Sequence, residues 1–492
     1  MTHPAIGDYH DLWDVAELTM STQKTLIFTL LVIAVSAALV FFSVRSSFVS
    51  TEQAKAKADS NLFFIMIDTL RADHLGCYGY TRDTSPQLDR IAHHGIVFSN
   101  FYSVSNWTTP AIASLFTGLY PREIYGPGTI DDVLKEAIPA EVDTLAEVLQ
   151  SAGHRTVALV THPMIHPQLG FAQGFSEYRM LLKERLPLKK SPTHWIFSGD
   201  WDKYGLSVDE LTKEVSTLLG QIAKTPFFVY LHVIYPHAPY IPPPPYKEMF
   251  GEPYRDVQWY SSIPRKEKEG LINAYDGEIR YTDTLIGNIF QDLKIRGLLE
   301  STYVVITSDH GEGFWEHGFY EHGHCFYDEV IKIPLVIYPP GGRPEPLRID
   351  APASNIDLFP TVTDLLGLDH PTAVHGNSLM RFVRPPIPPE DKSVLFSERP
   401  HSADLDAMAL IHGHLKYISS PRLKRDFLFQ LNADPEEKSN LAHSKRDVIK
   451  QMNALLLEHR ETVDKKRASL RREHRQLDQQ TQERLKSLGY LK

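Results

Sequence analysis

The sequence predicts an α/β domain built around a mostly parallel sheet. Short runs of β-branched and aromatic residues, typical of buried strands, alternate along the chain with longer stretches of helical periodicity. The predicted strands are residues 62–67, 156–160, 227–233, 303–307 and 335–338. The predicted helices are residues 86–94, 110–117, 144–152, 208–223, 267–296 and 356–366. Polar residues follow three of these strands, so ligand chemistry is expected at the carboxyl edge of the sheet.

The composition is that of an ordinary globular protein. The 492 residues are 42% hydrophobic and 23% charged, enough for one large domain and a smaller one. The formal net charge is −10, and no basic face or stripe occurs before the C-terminal tail, so no nucleic-acid partner is expected. The two cysteines, Cys77 and Cys325, neither show nor exclude an oxidising compartment. No oligomeric state is predicted.

Residues 25–44 form an uninterrupted apolar run. The segment T-L-I-F-T-L-L-V-I-A-V-S-A-A-L-V-F-F-S-V carries no charge and has the length of a helix that crosses the hydrocarbon core of a bilayer. We predict a single transmembrane anchor, with a tail of residues 1–24 before it and a linker of residues 45–60 after it. A cleaved signal peptide is the alternative, although the run is longer than a usual h-region.

The first predicted strand ends at Asp68, and Thr108 precedes a predicted helix. Asp is a common helix N-cap after a strand, which is the simplest role for Asp68 by itself. Pro110 suits the first turn of a helix, so a cap is also the simplest role for Thr108. A hydroxyl at a helix N-terminus can instead meet a bound phosphoryl or sulfuryl oxygen beside free backbone N–H groups. Structural and catalytic roles are therefore both open at these positions.

The fourth predicted strand leads into T-Y-V-V-I-T-S-D-H-G-E-G-F-W-E-H-G-F-Y-E-H-G-H, residues 302–324. Asp309 and His310 come directly after the strand, and a carboxylate beside an imidazole suits a divalent ion in the zinc or manganese range. Three more histidines follow closely, namely His317, His322 and His324. A histidine-rich surface loop is the alternative, but the adjoining buried strand favours a metal site.

Taken together, these segments resemble the sulfatase family of the alkaline phosphatase superfamily. The matching segments are D-T-L-R-A-D-H-L-G-C-Y-G-Y (68–80), T-S-P-Q-L-D (84–89), T-P-A-I-A-S-L-F-T-G-L-Y-P (109–121), P-H-A-P-Y (236–240), Y-D-G-E-I-R-Y-T-D (275–283), T-S-D-H-G-E (307–312), E-H-G (316–318), I-P-L-V-I (333–337), N-A-D-P-E-E-K-S-N-L (432–441) and L-G-Y-L (488–491). The resemblance implies an alkaline-phosphatase-like sandwich around a mostly parallel sheet in residues 61–391. It also implies a smaller C-terminal sheet subdomain, with a charged helical tail, in residues 392–492.

The resemblance also implies a site for one divalent metal ion. Asp68 and Asp309 match two metal-binding aspartates of the family. His310 stands where many sulfatases have Asn and where related phosphoesterases have His. With Thr108 as the fourth ligand, these residues are expected to hold one Zn, Mn or Ca ion. A second metal is not expected, because Tyr235 replaces the acidic residue that usually precedes the Pro-His pair.

His237 and His322 are the other catalytic residues that the resemblance implies. His237 matches the histidine that contacts the ester or its leaving group, and His322 falls near the second active-site lysine of the family. The first active-site lysine corresponds to Thr161, with His162 beside it, and Thr69 replaces a second aspartate.

The nucleophile position departs from the sulfatase pattern. Sulfatases carry C-x-P-x-R, whose cysteine is converted to formylglycine, whereas this chain reads T-T-P-A-I from Thr108 to Ile112. The resemblance associates threonine here with phosphodiesterases and phosphoryl-group transferases. We therefore predict a membrane-anchored, metal-dependent hydrolase or transferase of phosphate esters or diesters, acting through a phosphothreonine intermediate. The alternatives are a sulfuric ester hydrolase of the arylsulfatase type and a non-catalytic membrane-anchored binding protein.

Two observations disagree about which side of the membrane the catalytic domain faces. Lys24 precedes the apolar run, whereas Arg45, Lys55 and Lys57 follow it, which favours a cytoplasmic C-terminal side. Anchored members of the family mostly face away from the cytoplasm, so we expect an extracytoplasmic, periplasmic catalytic domain. The charged stretch 445–486 is expected to form solvated helices with paired charges, with a contact to anionic lipid or an acidic partner as the alternative.

Overall fold

The computed structural model describes residues 59–126, 133, 136–182, 206–254, 263–384, 393–399, 407–420, 424–471, 477–479 and 481–482. Contacts divide the chain into two units, Met1–Asp59 and Ser60–Lys492, and the description below is of the second. The predicted transmembrane segment of residues 25–44 lies outside the described residues. Within the described part, no helix is both long enough and apolar enough to cross a membrane.

The described strands form three sheets. They are β1 Asn61–Ile67, β2 Ile96–Phe98, β3 Phe101–Tyr102, β4 Arg155–Val160, β5 Glu177–Met180, β6 Phe227–Val233, β7 Thr302–Ser308, β8 Lys332–Ile333, β9 Leu335–Tyr338, β10 Leu347–Ile349, β11 Ala353–Ser354, β12 Val394–Glu398, β13 Met408–His412, β14 Leu415–Ser420 and β15 Arg425–Gln430. The large sheet has the order β10-β2-β9-β7-β1-β6-β4-β5. Its pairs are parallel except for the two that β9 makes with β2 and β7. This confirms the predicted α/β class with a mostly parallel sheet.

Helices cover the large sheet and connect its strands. They are α1 Pro86–His93, α2 Thr108–Thr117, α3 Pro121–Tyr125, α4 Leu145–Ser151, α5 Val208–Ile222, α6 Lys268–Ile295, α7 Asp328–Ile331, α8 Leu358–Leu366 and α9 Arg446–Ser469. Two begin with the expected capping chemistry: Thr144 and Ser207 each exchange hydrogen bonds with the glutamate three residues later. All ten residues of α2 are buried, so this helix runs through the interior beside the sheet.

The core lies on both faces of the large sheet. Along β1, Leu62, Phe64 and Met66 join one hydrophobic cluster, whereas Phe63 and Ile65 join the other, as the two-residue period of a strand requires. A parallel sheet covered on both faces has near-continuous apolar strands, which is why β1 reads N-L-F-F-I-M-I.

The register of the central strands aligns their carboxyl ends. Ile67 at the end of β1 pairs with Val233 of β6 and with Ser308 of β7. Asp68 and Asp309 therefore leave the sheet at the same level on neighbouring strands. The open edge of a parallel sheet, where adjacent connections diverge, is the usual place for a ligand site.

Strands β12 to β15 form a separate antiparallel sheet in the C-terminal part, as predicted. The prediction of a solvated helical tail is wrong for one face of α9. Met452 and Leu456 are buried against this sheet, and Arg467 donates to Glu136 of the catalytic region at 3.1 Å. Buried apolar positions spaced along α9 are diluted by charged neighbours, so the average polarity of the segment hid its packed face.

Candidate active site

Asp68, Asp309 and His310 meet at the carboxyl edge of the sheet. All three are fully buried, and each offers a ligand atom within 4.8 Å of the others. Neither oxygen of Asp68 has a donor in hydrogen-bonding geometry, and the same is true of Oδ2 of Asp309. Buried carboxylates without partners are costly unless a cation or protons compensate them. This donor set of two carboxylates and one imidazole therefore fits a divalent ion.

The two carboxyl groups respond to burial in opposite directions. Burial, with the charges of Asp309 and Glu312, raises the pKa of Asp68 well above its usual value. Burial alone would also raise the pKa of Asp309, but the adjacent His310 and His232 outweigh burial and lower it. Without a cation, Asp68 is the carboxyl that holds a proton, because two neighbouring carboxylates resist ionising together.

The backbone at Thr69 is held in a strained conformation. Its φ is 53°, in the left-handed region that a β-branched residue rarely adopts. The Thr69 N–H donates to Asp309 Oδ1 at 3.2 Å, and the Thr69 carbonyl accepts from the Tyr275 hydroxyl at 2.7 Å. These contacts hold a turn whose strain is of the order of 1–3 kcal/mol. The turn orients Asp68 toward Asp309.

Thr108 lies beside His310 of the proposed metal site, and it does not act as a helix cap. It is the first residue of α2, whose N-cap is Trp107 without a side-chain capping bond. The Thr108 hydroxyl lies 3.1 Å from His310 Nε2. Since His310 Nδ1 faces the Gly311 carbonyl at 2.9 Å and donates to it, Nε2 is the nitrogen that accepts from the hydroxyl. Thr108 is 1% exposed, so water has little access to its oxygen.

His237 and His322 complete the predicted catalytic set. Their ring centroids are 5.2 Å apart, and the His322 ring lies 4.3 Å from that of His310. Burial and the neighbouring His322 lower the pKa of His237 to about 4. Burial and His310 lower the pKa of His322 well below its usual value. All six predicted site residues therefore gather at one place, with the two rings held neutral in the absence of a ligand.

Two further histidines lie in the site. The His162 and His232 Nε2 atoms are 3.5 and 3.8 Å from Asp68 Oδ2. His162 Nδ1 accepts from the Met164 N–H at 3.1 Å, so its own hydrogen lies on Nε2, toward Asp68. Burial lowers the pKa of His232 to about 4, against the opposing charge of Asp309.

The family resemblance had already named His162 as a substitute for a lysine, whereas the sequence analysis did not single out His232. His232 is an ionisable residue at the end of the apolar strand F-F-V-Y-L-H-V, and such a residue at the carboxyl end of a central strand indicates a site. Thr161, aligned with a family lysine, instead bridges two backbones: it donates to the His232 carbonyl at 2.9 Å and accepts from the Ile234 N–H at 2.8 Å. His162, beside it, is the residue that faces the site.

His317 makes its contacts outside this cluster. His317 Nδ1 contacts Glu329 at 2.8 Å, and Nε2 donates to the Glu437 carbonyl at 3.2 Å. Its ring stacks on Tyr327 with centroids 3.7 Å apart. His324 is exposed. The cysteines Cys77 and Cys325 are both free.

Comparison with known proteins agrees with this architecture. Residues 60–368 match the family model "Sulfatase", and residues 315–462 match the model "N-sulphoglucosamine sulphohydrolase, C-terminal". The chain belongs to the sulfatase family, and it is an enzyme of the sulfuric or phosphoric ester hydrolase class.

The chain is similar in sequence to named sulfatases, and its fold is shared with hydrolases of more than one kind. The chain is 27% identical to an ulvan-active sulfatase of Formosa agariphila, over 74% of this chain and 72% of the relative. It is 23% identical to a delta 4,5-hexuronate-2-O-sulfatase of Bacteroides thetaiotaomicron, over 84% and 89%. The fold is shared with a phosphonate monoester hydrolase of Agrobacterium radiobacter, with a TM-score of 0.66 and 22% identity over 82% of this chain and 96% of that one. A 2-O GAG sulfatase gives a TM-score of 0.68 and 20% identity, over 85% and 95%.

Proposed function

We propose that this chain hydrolyses or transfers phosphate esters, diesters in particular, with Thr108 as the nucleophile. The observation that carries the proposal is the place of the Thr108 hydroxyl, buried at the start of α2 and 3.1 Å from His310 Nε2. The family's formylglycine cannot form at this position, because the residue is threonine and not cysteine. A threonine ester must be cleaved by attack at the bound phosphorus or sulfur, and the family resemblance associates threonine at this position with phosphoryl transfer, which makes phosphorus the expected centre.

Asp68, Asp309 and His310, with Thr108 beside them, would hold one divalent ion. When bound, such an ion supplies Lewis-acid stabilisation of negative charge on oxygen. The orphaned oxygens of Asp68 and Asp309 support this role, since a cation would satisfy them together. The donor set suits Zn, Mn or Ca, so loading the protein with each metal in turn would identify the ion.

The residues of the chain would then divide the reaction between them. Thr108 Oγ1 attacks phosphorus in line with the leaving oxygen, giving a phosphothreonine. Backbone N–H groups at the first turn of α2 point toward the phosphoryl oxygens and stabilise their charge. His237 or His322 exchanges a proton with the leaving oxygen, a role worth about 10²–10⁴ in rate for a positioned acid. Water or an acceptor hydroxyl then removes the phosphoryl group from Thr108.

The charge of the pocket favours a diester over a monoester. The family resemblance places Thr161, with His162 beside it, at one active-site lysine and His322 near the other. Burial lowers the pKa of both His162 and His322, so the replacements are neutral. A singly charged diester needs less compensating positive charge than a doubly charged monoester, so the loss of two cations costs the diester less.

A sulfuric ester hydrolase is the second candidate, and the sulfatases among the relatives favour it. It requires Thr108 or water to act directly on sulfur. A non-catalytic binding protein is the third candidate, and the missing family lysines speak for it. The retention of Asp68, Thr108, Asp309 and His310 in one buried group speaks against it.

One assay separates the three candidates. The full-length chain, loaded with Mn²⁺ or Zn²⁺, is given p-nitrophenyl phosphate, bis(p-nitrophenyl) phosphate and p-nitrophenyl sulfate. The proposal predicts turnover of the diester above the monoester and sulfate, and loss of at least about 10³ in kcat for Thr108→Ala but partial activity for Thr108→Ser. Sulfate turnover that survives Thr108→Ala would contradict the proposal and favour the sulfatase; no turnover of any ester, with no metal retained, would favour a binding protein.

We also propose that residues 25–44 anchor the chain in a membrane, with the catalytic domain outside the cytoplasm. The uncharged length of residues 25–44 supports the anchor. Anchored members of the sulfatase family mostly face away from the cytoplasm, which supports the proposed side of the membrane. A pair of reporters fused after Lys492, one active only in the cytoplasm and one only outside it, tests both points. Activity of the cytoplasmic reporter alone would contradict the placement.

A further inference from the structure

Strand β12 connects the C-terminal subdomain to the segment that leads into Thr108. β12 is an outer strand of its antiparallel sheet, so one edge of its backbone is available to a neighbour outside that sheet. The Glu398 N–H on this strand donates to the Val104 carbonyl at 2.7 Å, and the Ser105 hydroxyl donates to the Glu398 carbonyl at 2.9 Å. The end of β12 is therefore held beside Ser105, close in the chain to the proposed nucleophile.

Arg399 directly follows this strand, and the carboxylate before it is directed toward the helices. Glu398 Oε2 accepts from the Arg122 N–H at 2.9 Å, and Glu398 Oε1 lies 2.6 Å from Nε2 of His459 on α9. Successive side chains of an extended chain point to opposite sides. The Arg399 side chain therefore leaves the end of β12 on the side away from α9.

The charge of Arg399 reaches the active site. Burial is the largest cause of the low pKa of His322, and the charges of His324 and Arg399 lower this pKa further. The Asn106 side chain, in the segment that β12 contacts, donates to the Cys325 carbonyl at 2.9 Å. This hydrogen bond joins the loop that carries His322 and His324 to the segment beside Arg399. The hydrogen bonds and the electrostatics therefore place Arg399 at the same part of the site.

The exposure of these side chains shows where the site opens to solvent. Asp68 is fully buried, and the His322 side chain is 8% exposed. Arg399 is partly exposed, and His324 is exposed. Arg399 therefore lies at the rim of the site on the side of His322, outside the buried group proposed to act on phosphorus. A substrate larger than the reacting ester extends past this rim.

A guanidinium at this rim suits an anionic group. Its planar set of N–H donors matches the two oxygens of a carboxylate or a phosphate. The chain has a formal net charge of −10, so a local cation is needed to hold an anion against the overall field. The histidines that the resemblance places at the lysine positions, His162 and His322, are neutral because burial lowers the pKa of each. Arg399, in contrast, keeps its charge at neutral pH.

We propose that Arg399 binds an anionic group of the substrate outside the buried site, so that the substrate is an ester with a second negative charge beyond the reacting phosphorus. The inference rests on the function proposed above and narrows its substrate class. Arg399 is a specificity-determining residue in this proposal: it contacts the substrate and takes no part in making or breaking bonds.

The test measures binding, so it does not depend on turnover. The full-length Thr108→Ala chain, loaded with Mn²⁺, is titrated by calorimetry with two pairs of esters. One pair places a carboxylate on the leaving group: methyl p-nitrophenyl phosphate against methyl 3-carboxy-4-nitrophenyl phosphate. The other pair places it on the retained group: propyl p-nitrophenyl phosphate against 2-carboxyethyl p-nitrophenyl phosphate. In at least one pair the Kd of the anionic ester should be about tenfold lower, as expected for hydrogen bonds between charged groups.

Variants of Arg399 assign this preference. Arg399→Ala, added to Thr108→Ala, should remove the preference and leave the Kd of the neutral esters unchanged. Arg399→Lys should keep part of the preference, because it keeps the charge without the planar set of donors. Arg399→Glu should reverse the preference by repulsion. The preference should also weaken between about 0.05 M and about 0.5 M salt, because the rim is open to solvent.

A matched control removes one positive charge at the opposite edge of the sheet. Arg296 lies at the end of α6, before β7 begins, and it contacts Asp292 at 2.9 Å and the Ser216 carbonyl at 3.0 Å. Arg296→Ala should leave the preference as it is in Thr108→Ala alone. Equal Kd values within both pairs, or a preference that survives Arg399→Ala, would overturn the assignment. An equal loss of affinity for neutral and anionic esters in Arg399→Ala would also overturn it.

Failure of the proposed function has a different signature. If Thr108→Ala hydrolysed these esters, Thr108 would not be the nucleophile, and the same preference would be measured as a ratio of kcat/KM values with and without Arg399. If the chain took sulfate esters instead, p-nitrophenyl sulfate and 3-carboxy-4-nitrophenyl sulfate form the corresponding pair. Arg399→Ala would still report whether Arg399 binds the second charge.

Discussion

Replacing Asp68 by Asn should stabilise the metal-free chain and destabilise the metal-loaded one. The Asp68 carboxyl is fully buried, its oxygens have no donor in hydrogen-bonding geometry, and the charge of Asp309 is nearby. Asn keeps the shape of the side chain and is neutral without taking up a proton. A carboxyl in a structural ion pair would give the opposite sign in the metal-free chain, so the sign alone is informative.

The magnitude follows from the burial and from mass action. A carboxyl whose pKa is raised by burial has to take up a proton on folding at neutral pH, and Asn has no such cost, so the substitution should raise the free energy of unfolding by about 1–3 kcal/mol. A cation present at about 100 times its Kd stabilises the wild type by about 2.7 kcal/mol. Asp68→Asn loses one ligand and therefore most of that gain. Asp68→Asn should therefore be more stable than the wild type without metal and less stable than the wild type with metal.

Urea unfolding at neutral pH, with EDTA and then with Mn²⁺, measures both free energies of unfolding. Glu278→Gln is the matched control, because Glu278 is a buried carboxyl away from the metal group whose Oε2 also lacks a partner. It should stabilise the chain equally with and without Mn²⁺. Equal destabilisation by Asp68→Asn in both conditions would refute the reasoning and make Asp68 a structural residue.

Two further predictions concern the C-terminal part. Lys416→Met should lower the free energy of unfolding by about 3–5 kcal/mol, because it leaves the half-buried Asp328 and the buried Glu437 without the ammonium that lies 2.7 and 2.8 Å from them. A loss below about 1 kcal/mol by urea unfolding would contradict this. Burial opposes the charging of His317, but the contact with Glu329 outweighs burial and raises the pKa of His317. The stabilising contribution of the charged ring is therefore complete below about pH 6.5, and it is lost as pH rises through the raised pKa. His317→Gln should therefore destabilise more at about pH 5.5 than at about pH 9, and an equal effect at both would contradict the pairing.

The sequence alone was sufficient to predict the strands and helices in which hydrophobic residues recur with a clear period. Strands β1, β6 and β7 and helices α5 and α6 lie within two residues of their predicted bounds, because long apolar or amphipathic segments are set by local pattern. The short strands β2, β3, β5, β8, β10 and β11 were not predicted, since two to four residues carry too little periodicity. Tertiary pairing decides whether such segments become strands.

The candidate site also contains some positions that the sequence could predict and others that it could not. Asp68 and Asp309 could be placed at one edge because each follows a strand, whereas Thr108 was assigned to the same site only through the family resemblance. Glu312 contacts His322 because the chain between them turns back through the bridge of Phe314 with Tyr320, and no local sequence pattern predicts that turn. His162 faces the site whereas Thr161 bonds to backbone, and a one-residue choice of this kind is made by the packing around the strand end.

The most direct measurement of the central claim is to trap the covalent intermediate. The full-length chain, loaded with Mn²⁺, is mixed with methyl p-nitrophenyl phosphate, quenched in acid during turnover, and digested for peptide mass spectrometry. The proposed function predicts a methyl phosphate ester on Thr108, in the peptide that contains T-T-P-A-I, and the same group on the serine of Thr108→Ser. Steady turnover with Thr108 unmodified, at a rate unchanged in Thr108→Ala, would contradict it.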